Sequence, residues 1–413
     1  MAVLEHLTSQ EAIDLENKYG AQNYHPLPVV LSRGEGVYVW DAEGKRYYDF
    51  LSAYSAMNQG HCHPKIINAL KEQAEKLTLT SRAFYNDMLG KYEEFATQFF
   101  GYDKLLPMNT GAEAVETAMK LARKWAYEKK GVPTNQAKII VCQNNFHGRT
   151  ISIISASNDP IATENFGPFT PGIISIRYND IDALQEALKD GNVAAFLVEP
   201  IQGEAGVYVP DENYLKEAFR LCKSRNVLFM ADEVQTGIGR TGKLLAVDHE
   251  GIKPDVLILG KAISGGVLPV SAVLASHGVM EVIRPGNHGS TFGGNPLACA
   301  VAMAALEVVK EEQLAENAAE LGELFRKEME ILVKETNLVR LVRGKGLLNA
   351  IVVNDSEDSS TAWDICMALK ENGLLAKPTH GNIIRFAPPL VMNREQLMDC
   401  VSIISKTIRE FEK

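Results

Sequence analysis

Short apolar runs bounded by polar or turn residues recur through the middle of the chain. Each run is too short for a helix and is apolar at nearly every position, a pattern typical of a strand that is buried on both faces. Helical patterns separate the runs, and strands that alternate with helices indicate an α/β domain with a mostly parallel sheet. The predicted strands are Lys138–Cys142, Ala194–Val198, Val227–Met230 and Val256–Leu259.

The two ends of the chain follow other patterns. Residues 1–20 predict a short amphipathic helix, and the runs Val37–Trp40 and Arg46–Phe50 flank a turn at Asp41–Gly44, which predicts a β-hairpin. After residue 297 a long helical pattern leads into alternating helices and strands, and a last helix is predicted over 394–411. The chain therefore divides into a predicted large domain and a smaller α+β domain built from both ends: residues 1–50, 51–300 and 301–413, with the large domain in the middle.

Length and composition narrow the class of protein. A chain of 413 residues is too long for one small core and suggests two or three domains. Hydrophobic residues at 46% and charged residues at 23% are ordinary for a soluble globular enzyme. The net charge of −10 argues against a nucleic-acid partner. No apolar run approaches the ~18 residues that a membrane span needs, so no membrane partner is expected.

The cysteines and the first residues bear on the compartment. Residues 1–20 contain no long apolar stretch and no arginine, unlike a secretory signal or a mitochondrial presequence. The six cysteines are scattered without a C-x-x-C motif, which favours a reduced compartment, and we expect the cytoplasm. His61-Cys62-His63 could suggest a metal site, but adjacent side chains do not easily converge on one ion, so we predict no metal.

Two of the predicted strands are followed by groups with complementary chemistry. Val227–Met230 leads to Asp232, and Val256–Leu259 leads to Gly260 and Lys261. Open α/β sheets bind their ligands at the carboxyl ends of the strands. Pyridoxal 5′-phosphate (PLP) requires such a pair, because a lysine holds it as a Schiff base and an acid keeps its pyridine nitrogen protonated. A lysine and an aspartate in a surface loop remain the alternative.

A third feature suits the phosphate of such a cofactor. Thr110 and Glu113 form a capping-box pattern ahead of a helical run, and Gly111 directly follows the cap. The start of a helix offers backbone N–H groups and the positive end of the helix dipole to an anion. A plain capped helix has the same pattern. The phosphate site is favoured by the presence of Asp232 and Lys261, since no Walker sequence supplies another cradle.

Other polar groups follow the remaining strands. Phe146 and Arg149 follow Lys138–Cys142, where they could stack on a ring and bind a carboxylate, or could be ordinary packing and a surface charge. Glu199 and Glu204 follow Ala194–Val198 in a glycine-containing stretch. Carboxylates and glycines at the end of a buried strand indicate the lining of a site.

The segments ADEVQTGIGRTG and DVLILGKAISGG resemble the core of the class III, fold type I, PLP-dependent aminotransferases. The resemblance implies that Lys261 is the catalytic Schiff-base lysine, that Asp232 partners the pyridine nitrogen and that Gln235 lies near the ring hydroxyl. It implies further cofactor contacts by Phe146 on the pyridine face and by Thr110, Gly111 and Ala112 at the phosphate. Ser290 and Thr291 would reach the phosphate of the neighbouring subunit, which implies a homodimer or a higher even oligomer.

Longer segments resemble the ornithine aminotransferase branch of this family, among them VEPIQGEAGV, VRGKGLLNAI and GLLAKPTHGNIIRFAPPL. Those enzymes move the δ-amino group of ornithine to 2-oxoglutarate, giving glutamate and glutamate 5-semialdehyde, which cyclises. The resemblance implies that Arg149 and Tyr24 hold the distal carboxylate and that Arg385 holds the α-carboxylate of glutamate. Glu204 would neutralise Arg385 when ornithine is bound, and Tyr54 would exclude binding of ornithine through its α-amine.

One residue departs from the pattern of this branch, and several other functions compete with it. His147 stands where some relatives carry tryptophan, which we interpret as tuning of the site. Another ω-aminotransferase, acting on acetylornithine or 4-aminobutyrate, is the nearest alternative, and an aminomutase suits the residues less well. A nucleotide-binding P-loop at Lys261 fails, because it requires glycine at Asp255 and serine or threonine at Ala262. A non-catalytic paralogue would be expected to lose Lys261 or Asp232, and both are present.

Overall fold

The structure is a computed structural model that describes residues 7–412, so the outermost parts of the predicted N-terminal helix and of the two terminal segments lie outside it. Over this range the strands are β1 (Leu31–Glu35), β2 (Tyr38–Asp41), β3 (Arg46–Asp49), β4 (Lys104–Met108), β5 (Lys138–Cys142), β6 (Ile173–Ile176), β7 (Val193–Val198), β8 (Leu228–Asp232), β9 (Val256–Leu259), β10 (Ser271–Ala275), β11 (Val339–Lys345), β12 (Leu348–Val353), β13 (Leu374–Leu375), β14 (Lys377–Pro378) and β15 (Ile383–Phe386). The helices are α1 (Ser9–Tyr19), α2 (Ser52–Ser55), α3 (Pro64–Ala74), α4 (Leu89–Phe100), α5 (Gly111–Trp125), α6 (Ile151–Ile154), α7 (Pro160–Thr163), α8 (Ile181–Ala187), α9 (Tyr214–Ser224), α10 (His277–Met280), α11 (Pro296–Glu311), α12 (Leu314–Glu335), α13 (Thr361–Glu371) and α14 (Arg394–Phe411).

A seven-stranded sheet in the order β4-β10-β9-β8-β7-β5-β6 forms the centre of the described chain. Strands β9, β8, β7, β5 and β6 pair in parallel, whereas β10 pairs antiparallel with both of its neighbours. Every side chain of β7, β8, β9 and β10 is buried, as the apolar runs require. The predicted α/β class with a mostly parallel sheet is confirmed.

The four predicted strands all exist, with small shifts at their ends. Strand β8 extends to Asp232, so this carboxylate is carried by the last residue of the strand and does not follow it. Strands β4, β6 and β10 were not predicted from the sequence, and β10 inserts between β4 and β9. The strand ends at which the candidate residues were expected therefore lie side by side in the middle of one sheet.

Helix α5 connects the sheet to the predicted phosphate site. Thr110 caps it, and the capping box with Glu113 is confirmed by hydrogen bonds in both directions. Its apolar face, including Val115, Ala118 and Ala122, is buried in a core cluster together with residues of β5, β7, β8 and β9. Because packing on the sheet fixes this helix along its length, its first turn is held in a defined place.

The two ends of the chain meet in a second sheet. The predicted hairpin is confirmed as β2 and β3, with β1 added at the edge, and β13 pairs in parallel with β3 through Leu374 and Tyr48. A third sheet has the order β11-β12-β15-β14. This pairing of the two ends suits the smaller domain that the sequence predicts, and the boundaries at residues 50 and 300 stay a prediction.

Three features limit the possible functions or mark strain. Within residues 7–412 no helix is long and apolar enough to cross a membrane. No cluster of three potential metal ligands occurs in this part of the chain. The segment α2 is a left-handed turn, since φ is positive at each of its residues, 52–55. Such a run is costly for residues other than glycine and is found where surrounding packing imposes it, often at a functional site.

Candidate active site

A cavity opens at the carboxyl ends of the central strands. Ten of the residues singled out from the sequence line it: Gly111, Ala112, Phe146, His147, Arg149, Glu199, Glu204, Asp232, Gln235 and Lys261. An adjoining cavity shares Phe146, Arg149, Glu204 and Lys261 and adds Tyr24 and Tyr54. The structure thus brings together residues that are far apart along the chain, at the edge of the sheet where open α/β proteins bind ligands.

Lys261 lies two residues after the end of β9 and has a strained backbone conformation. Its φ is +46°, a left-handed value that lysine rarely adopts, and it begins a short 3₁₀ turn that ends at Ser264. Burial lowers the pKa of the Lys261 amine below its ordinary value; Glu204 opposes this shift and Arg385 adds to it. A lysine with a lowered pKa carries a neutral amine closer to physiological pH, which both a nucleophile and a general base require.

Asp232 is held from two sides at the end of β8. The Val234 backbone N–H donates to Oδ1 at 3.1 Å, and His147 Nδ1 donates to Oδ2 at 2.7 Å. Burial would lower the pKa of His147, but the hydrogen bond to Asp232 and the charge on this carboxylate raise it overall. The imidazole and the Val234 N–H therefore orient the carboxylate of Asp232, the group that a protonated pyridine nitrogen needs as its partner.

A second buried acid, Glu199, lies close to this pair. One of its oxygens, Oε1, accepts a hydrogen bond from the Phe146 backbone N–H at 2.8 Å. Burial raises the pKa of Glu199 to about 8; the cations of His147 and Lys261 reduce the shift and Asp232 increases it. The cavity therefore contains a carboxyl group, that of Glu199, whose burial favours the protonated form.

The first turn of α5 forms one wall of the cavity. A Cβ added at Gly111 would lie 2.9 Å from Cγ1 of Val234, so a larger residue would push the helix away from the strand that carries Asp232. Ser271 Oγ donates to the Thr110 carbonyl oxygen at 2.7 Å and fixes the cap on β10. The N–H groups of the first turn have no acceptor within their own helix, which suits them to a phosphate.

Two buried polar atoms show that the cavity fits PLP. Gln235 Oε1 and His147 Nε2 have no hydrogen-bond partner within residues 7–412. The Gln235 oxygen can accept from the ring hydroxyl, and the cavity offers a carboxylate, a lysine and a helix start for the three other polar groups of the cofactor. Phe146 is partly exposed on the cavity wall, where a flat ring could stack on it.

Arg385 lies beneath the substrate side of the cavity. This arginine of β15 is almost fully buried, with its side chain 2% exposed, and its Nη1 donates to Glu204 Oε1 at 2.8 Å and to the Gly203 carbonyl oxygen at 3.2 Å. The ring of Tyr54 lies 5.3 Å from the Arg385 guanidinium carbon. Burial would raise the pKa of Glu204, but Arg385, Lys261 and Gln235 lower it to about 2.

The other two residues predicted to bind substrate, Arg149 and Tyr24, lie nearer to solvent. Arg149 has a half-exposed side chain whose guanidinium carbon lies 5.4 Å from the centre of the Phe146 ring, and its closest acid is Asp159 at 3.9 Å. Tyr24 is exposed and lines the outer cavity with Tyr54. A cation at the mouth and a masked cation at the base therefore provide two positions for carboxylates in one site.

Ser290 and Thr291 lie outside the cavity of their own chain. Asn109, next to the helix cap, donates to Ser290 Oγ at 2.8 Å, and the neighbouring Phe292 is exposed. The predicted contact of these hydroxyls with the phosphate of another subunit stays a prediction.

Sequence reasoning missed the hydrogen bonds that support the site. It interpreted His147 as tuning and Glu199 as lining, but it assigned neither a partner. The position of His147 just after the end of β5 was a usable signal, because β5 lies in the same parallel sheet as β8. The bond between Gln235 Nε2 and Glu204 Oε1, at 2.9 Å, had no such signal.

The comparisons with known proteins show which family the chain belongs to. The family model for class-III aminotransferases matches residues 19–408. An ornithine aminotransferase of Drosophila ananassae, named as mitochondrial, is 65% identical over 97% of this chain and 91% of its own. A Toxoplasma gondii ornithine aminotransferase, described with partial occupancy of PLP at its active site, is 52% identical with a TM-score of 0.97, covering 99% of this chain and 97% of its own.

A further solved structure carries a different name. An acetylornithine aminotransferase of Elizabethkingia anophelis is 66% identical with a TM-score of 0.91, covering 98% of this chain and all of its own. Each of these similarities extends over nearly the whole chain. The chain therefore belongs to the class-III aminotransferase family.

Proposed function

We propose that this protein transfers the δ-amino group of L-ornithine to 2-oxoglutarate, giving glutamate and glutamate 5-semialdehyde, which cyclises to pyrroline-5-carboxylate. The observation that carries the proposal is the buried ion pair between Arg385 and Glu204, whose acid, Glu204, lines the same cavity as Lys261. The two amino acids that such an enzyme must accept differ in where they place a carboxylate. A cation that can be masked and unmasked meets both requirements in one site.

As a class-III aminotransferase, the chain uses PLP. When bound, PLP supplies a protonated pyridine ring that withdraws electrons from the carbon next to the substrate nitrogen. We assign its phosphate to Thr110, Gly111 and Ala112, its ring face to Phe146 and its ring hydroxyl to Gln235. Asp232 holds the charge on the ring nitrogen, with His147 supporting the carboxylate from behind.

Lys261 is the group that moves protons. Burial lowers the pKa of its amine and so favours the free base, and Lys261 lines the cavity together with Asp232 and Glu204. We propose that it takes the proton from the substrate carbon that bears the reacting amino group and delivers it to the carbon of the cofactor to which that amino group is transferred. The left-handed conformation at Lys261 fixes the direction in which its chain leaves the strand.

Arg385 and Glu204 decide which amino group reacts. With ornithine bound through its δ-amine, no substrate carboxylate lies near the base of the cavity, and an unpaired buried arginine would cost several kcal/mol. Glu204 removes this cost by pairing with Arg385. When glutamate or 2-oxoglutarate binds, we propose that Glu204 turns away and that Arg385 takes the α-carboxylate.

The mouth of the cavity holds the far end of either substrate. Arg149, assisted by the hydroxyl of Tyr24, would bind the α-carboxylate of ornithine or the γ-carboxylate of glutamate. Tyr54, whose ring lies next to Arg385, would narrow the base of the cavity against the charged α-amino group of ornithine. The rigid left-handed turn at residues 52–55 holds this ring in place.

Acetylornithine is the second candidate substrate, because the solved structure that is 66% identical is named for it. Both substrates present a δ-amine and a distant carboxylate, so the lining described above accommodates either. The acetyl group removes the charge of the α-amine, and a site that uses acetylornithine would have to accept the added bulk near Arg149. Comparing kcat/KM for the two amines separates the candidates, and a higher value for acetylornithine would reverse the assignment.

A homodimer is the proposed assembly. Ser290 and Thr291 lie outside their own cavity beside exposed Phe292, a position suited to reaching the phosphate in a second copy. Mixing Lys261→Ala and Thr291→Ala protomers would give one site with both lesions and one with neither. Activity above that of either parent would support the shared site, and no recovery after verified subunit exchange would contradict it.

The cytoplasm is the proposed compartment. All six cysteines are free thiols, and five are buried, which suits a reducing environment. The Drosophila relative is named as mitochondrial. Localising a fluorescent fusion of the complete gene product in its own cells would test the assignment, and fluorescence confined to an organelle would overturn it.

The experiment that tests the main proposal is an absorption spectrum of the purified protein with and without ornithine. We expect a visible band from bound PLP, loss of that band on adding ornithine, and its return on adding 2-oxoglutarate. The Lys261→Ala variant should show neither change at a catalytic rate. A band that glutamate removes and ornithine leaves unchanged would overturn the ornithine assignment while keeping the aminotransferase activity.

A further inference from the structure

The loop that carries Glu204 is held by its main chain at several points. The Gly203 carbonyl oxygen accepts from Arg385, and the Gly206 carbonyl oxygen accepts from Arg343 Nε at 2.8 Å. Between them, the Glu204 carbonyl oxygen accepts two hydrogen bonds, one from Thr379 Oγ1 and one from His380 Nδ1 at 2.8 Å. The donors all come from the β11–β15 region of the chain.

Close packing reinforces these bonds from both sides. A Cβ at Gly203 would lie 1.7 Å from Gln235 Oε1, and a Cβ at Gly206 would lie 2.6 Å from Cδ1 of Ile383. The loop is therefore wedged between the sheet end that carries Asp232 and the strand that carries Arg385. Its main chain has little freedom to move, whereas the Glu204 side chain is still 20% exposed and has room to rotate.

The two donors to Glu204 are themselves fixed. Thr379 and His380 form the turn between β14 and β15, and this turn is closed by backbone bonds from the Thr379 N–H to the Ile383 carbonyl oxygen and from the Ile383 N–H to the His380 carbonyl oxygen. The strand that follows carries Arg385 two residues after Ile383. The β14–β15 hairpin thus donates hydrogen bonds to the main chain of Glu204 and also carries Arg385, the cation with which Glu204 pairs.

We propose that Thr379 and His380 are positioning residues that make the Glu204 mask work by side-chain rotation alone, and so set the preference for δ-transfer from ornithine. This inference rests on the proposed function. If the carbonyl were released, the loop would drift and the carboxylate would meet Arg385 less often. Arg385 would then be unmasked more of the time, which harms the ornithine half-reaction and leaves the glutamate half-reaction, where the mask is open, nearly unchanged.

The test compares two double variants in the holoenzyme. Thr379→Val with His380→Phe removes both donors at similar volume, and Thr379→Ser with His380→Asn keeps a donor at each position. Single-turnover rates are measured with ornithine and with glutamate, and the products from ornithine are separated into δ- and α-transfer. We expect the donor-free variant to lose about tenfold with ornithine and less than about twofold with glutamate, and the donor-keeping variant to match wild type on both.

The outcomes separate this inference from the proposed function. A wild-type enzyme that does not take the δ-amine of ornithine would overturn the proposed function itself. A wild type that does, together with a donor-free variant whose two rates fall equally or stay unchanged, would overturn only the positioning role. Thermal unfolding of each variant monitors folding. If the double variant does not fold, the single Thr379→Val change is measured in the same way, with a smaller selective loss expected and the same equal-loss outcome against it.

Discussion

Asp232 and Glu204 are two carboxylates in one cavity, each paired with a basic group, yet they are supported in opposite ways. Asp232 ends a central strand, is 4% exposed and accepts from a backbone N–H as well as from His147. Glu204 lies on a loop, is 20% exposed and is held through its carboxylate by the side chains of Arg385 and Gln235. A carboxylate that accepts a hydrogen bond from the backbone at the end of a buried strand is held in one position. We expect a carboxylate that is held only by side chains to be able to leave its partner.

Charge and burial alone do not distinguish a carboxylate that stays in place, such as Asp232, from one that we propose rotates, such as Glu204. Both acids lie in the same field of Lys261, and both are close to cations. What differs is the stiffness of what holds each carboxylate oxygen. The main chain around Glu204 is held by hydrogen bonds, whereas the Glu204 side chain is partly exposed and has room to rotate.

The largest loss of activity is expected from a change at Asp232, the carboxylate that is held in one position. Asp232→Asn should lose roughly a thousandfold in kcat/KM with both amino donors, because a neutral amide cannot keep the ring nitrogen protonated. PLP should still bind, since the phosphate and ring contacts remain. Half-reaction rates with ornithine and with glutamate should fall in parallel. A loss restricted to one donor, or rates near wild type, would show that Asp232 is not the ring partner.

The second prediction concerns the removal of the Glu204 carboxylate that pairs with Arg385. Glu204→Ala leaves Arg385 unmasked, so the glutamate half-reaction should be kept or improved while kcat/KM for ornithine falls ~10- to 100-fold and α-transfer from ornithine appears. Single-turnover rates with each donor measure the split. Glu199→Gln is the matched control, a buried acid of the same cavity outside the ion pair. Parallel losses with both donors in Glu204→Ala would retire the switch.

The third prediction concerns the pH dependence of stability, which follows from the proton that burial holds on Glu199. An unfolded chain ionises Glu199 near 4.5, whereas the folded chain holds its proton to about pH 8. The folded state therefore binds more protons between these values, and this group lowers stability as pH rises through the window, by at most ~1.4 kcal/mol per pH unit. In PLP-free protein, the free energy of unfolding should fall less steeply between about pH 5 and about pH 8 in the Glu199→Gln variant than in the wild type. Identical slopes in variant and wild type would contradict the raised pKa.

The sequence predicted the centre of the fold better than its edges. Runs such as Val256–Leu259 were recognisable because both faces of the strand are buried and every residue is apolar. Strand β4 contains Pro107, β10 is rich in small residues, and β6 lies at the sheet edge with mixed burial, so none of them gave a clear period.

The site divides in the same way. Lys261 and Asp232 could be placed from the sequence because parallel strands bring their carboxyl ends to one edge. The pairing of Glu204 with Arg385 came from the resemblance and has no local signal, since the two residues are 181 positions apart. The grip of Thr379 on the Glu204 carbonyl is harder still, because a main-chain acceptor is the same for every residue type.

The parallel pairing of β3 with β13 has a consequence for how the chain is made. β3 emerges from the ribosome early, but its partner Leu374–Leu375 comes almost last, so the edge of the N-terminal sheet stays open throughout most of synthesis. An open edge with unpaired backbone groups invites association with other chains. We expect nascent chains stalled before β13 to need chaperone protection and to expose β3 to protease, whereas emergence of β13 from the ribosome should remove both risks in one step.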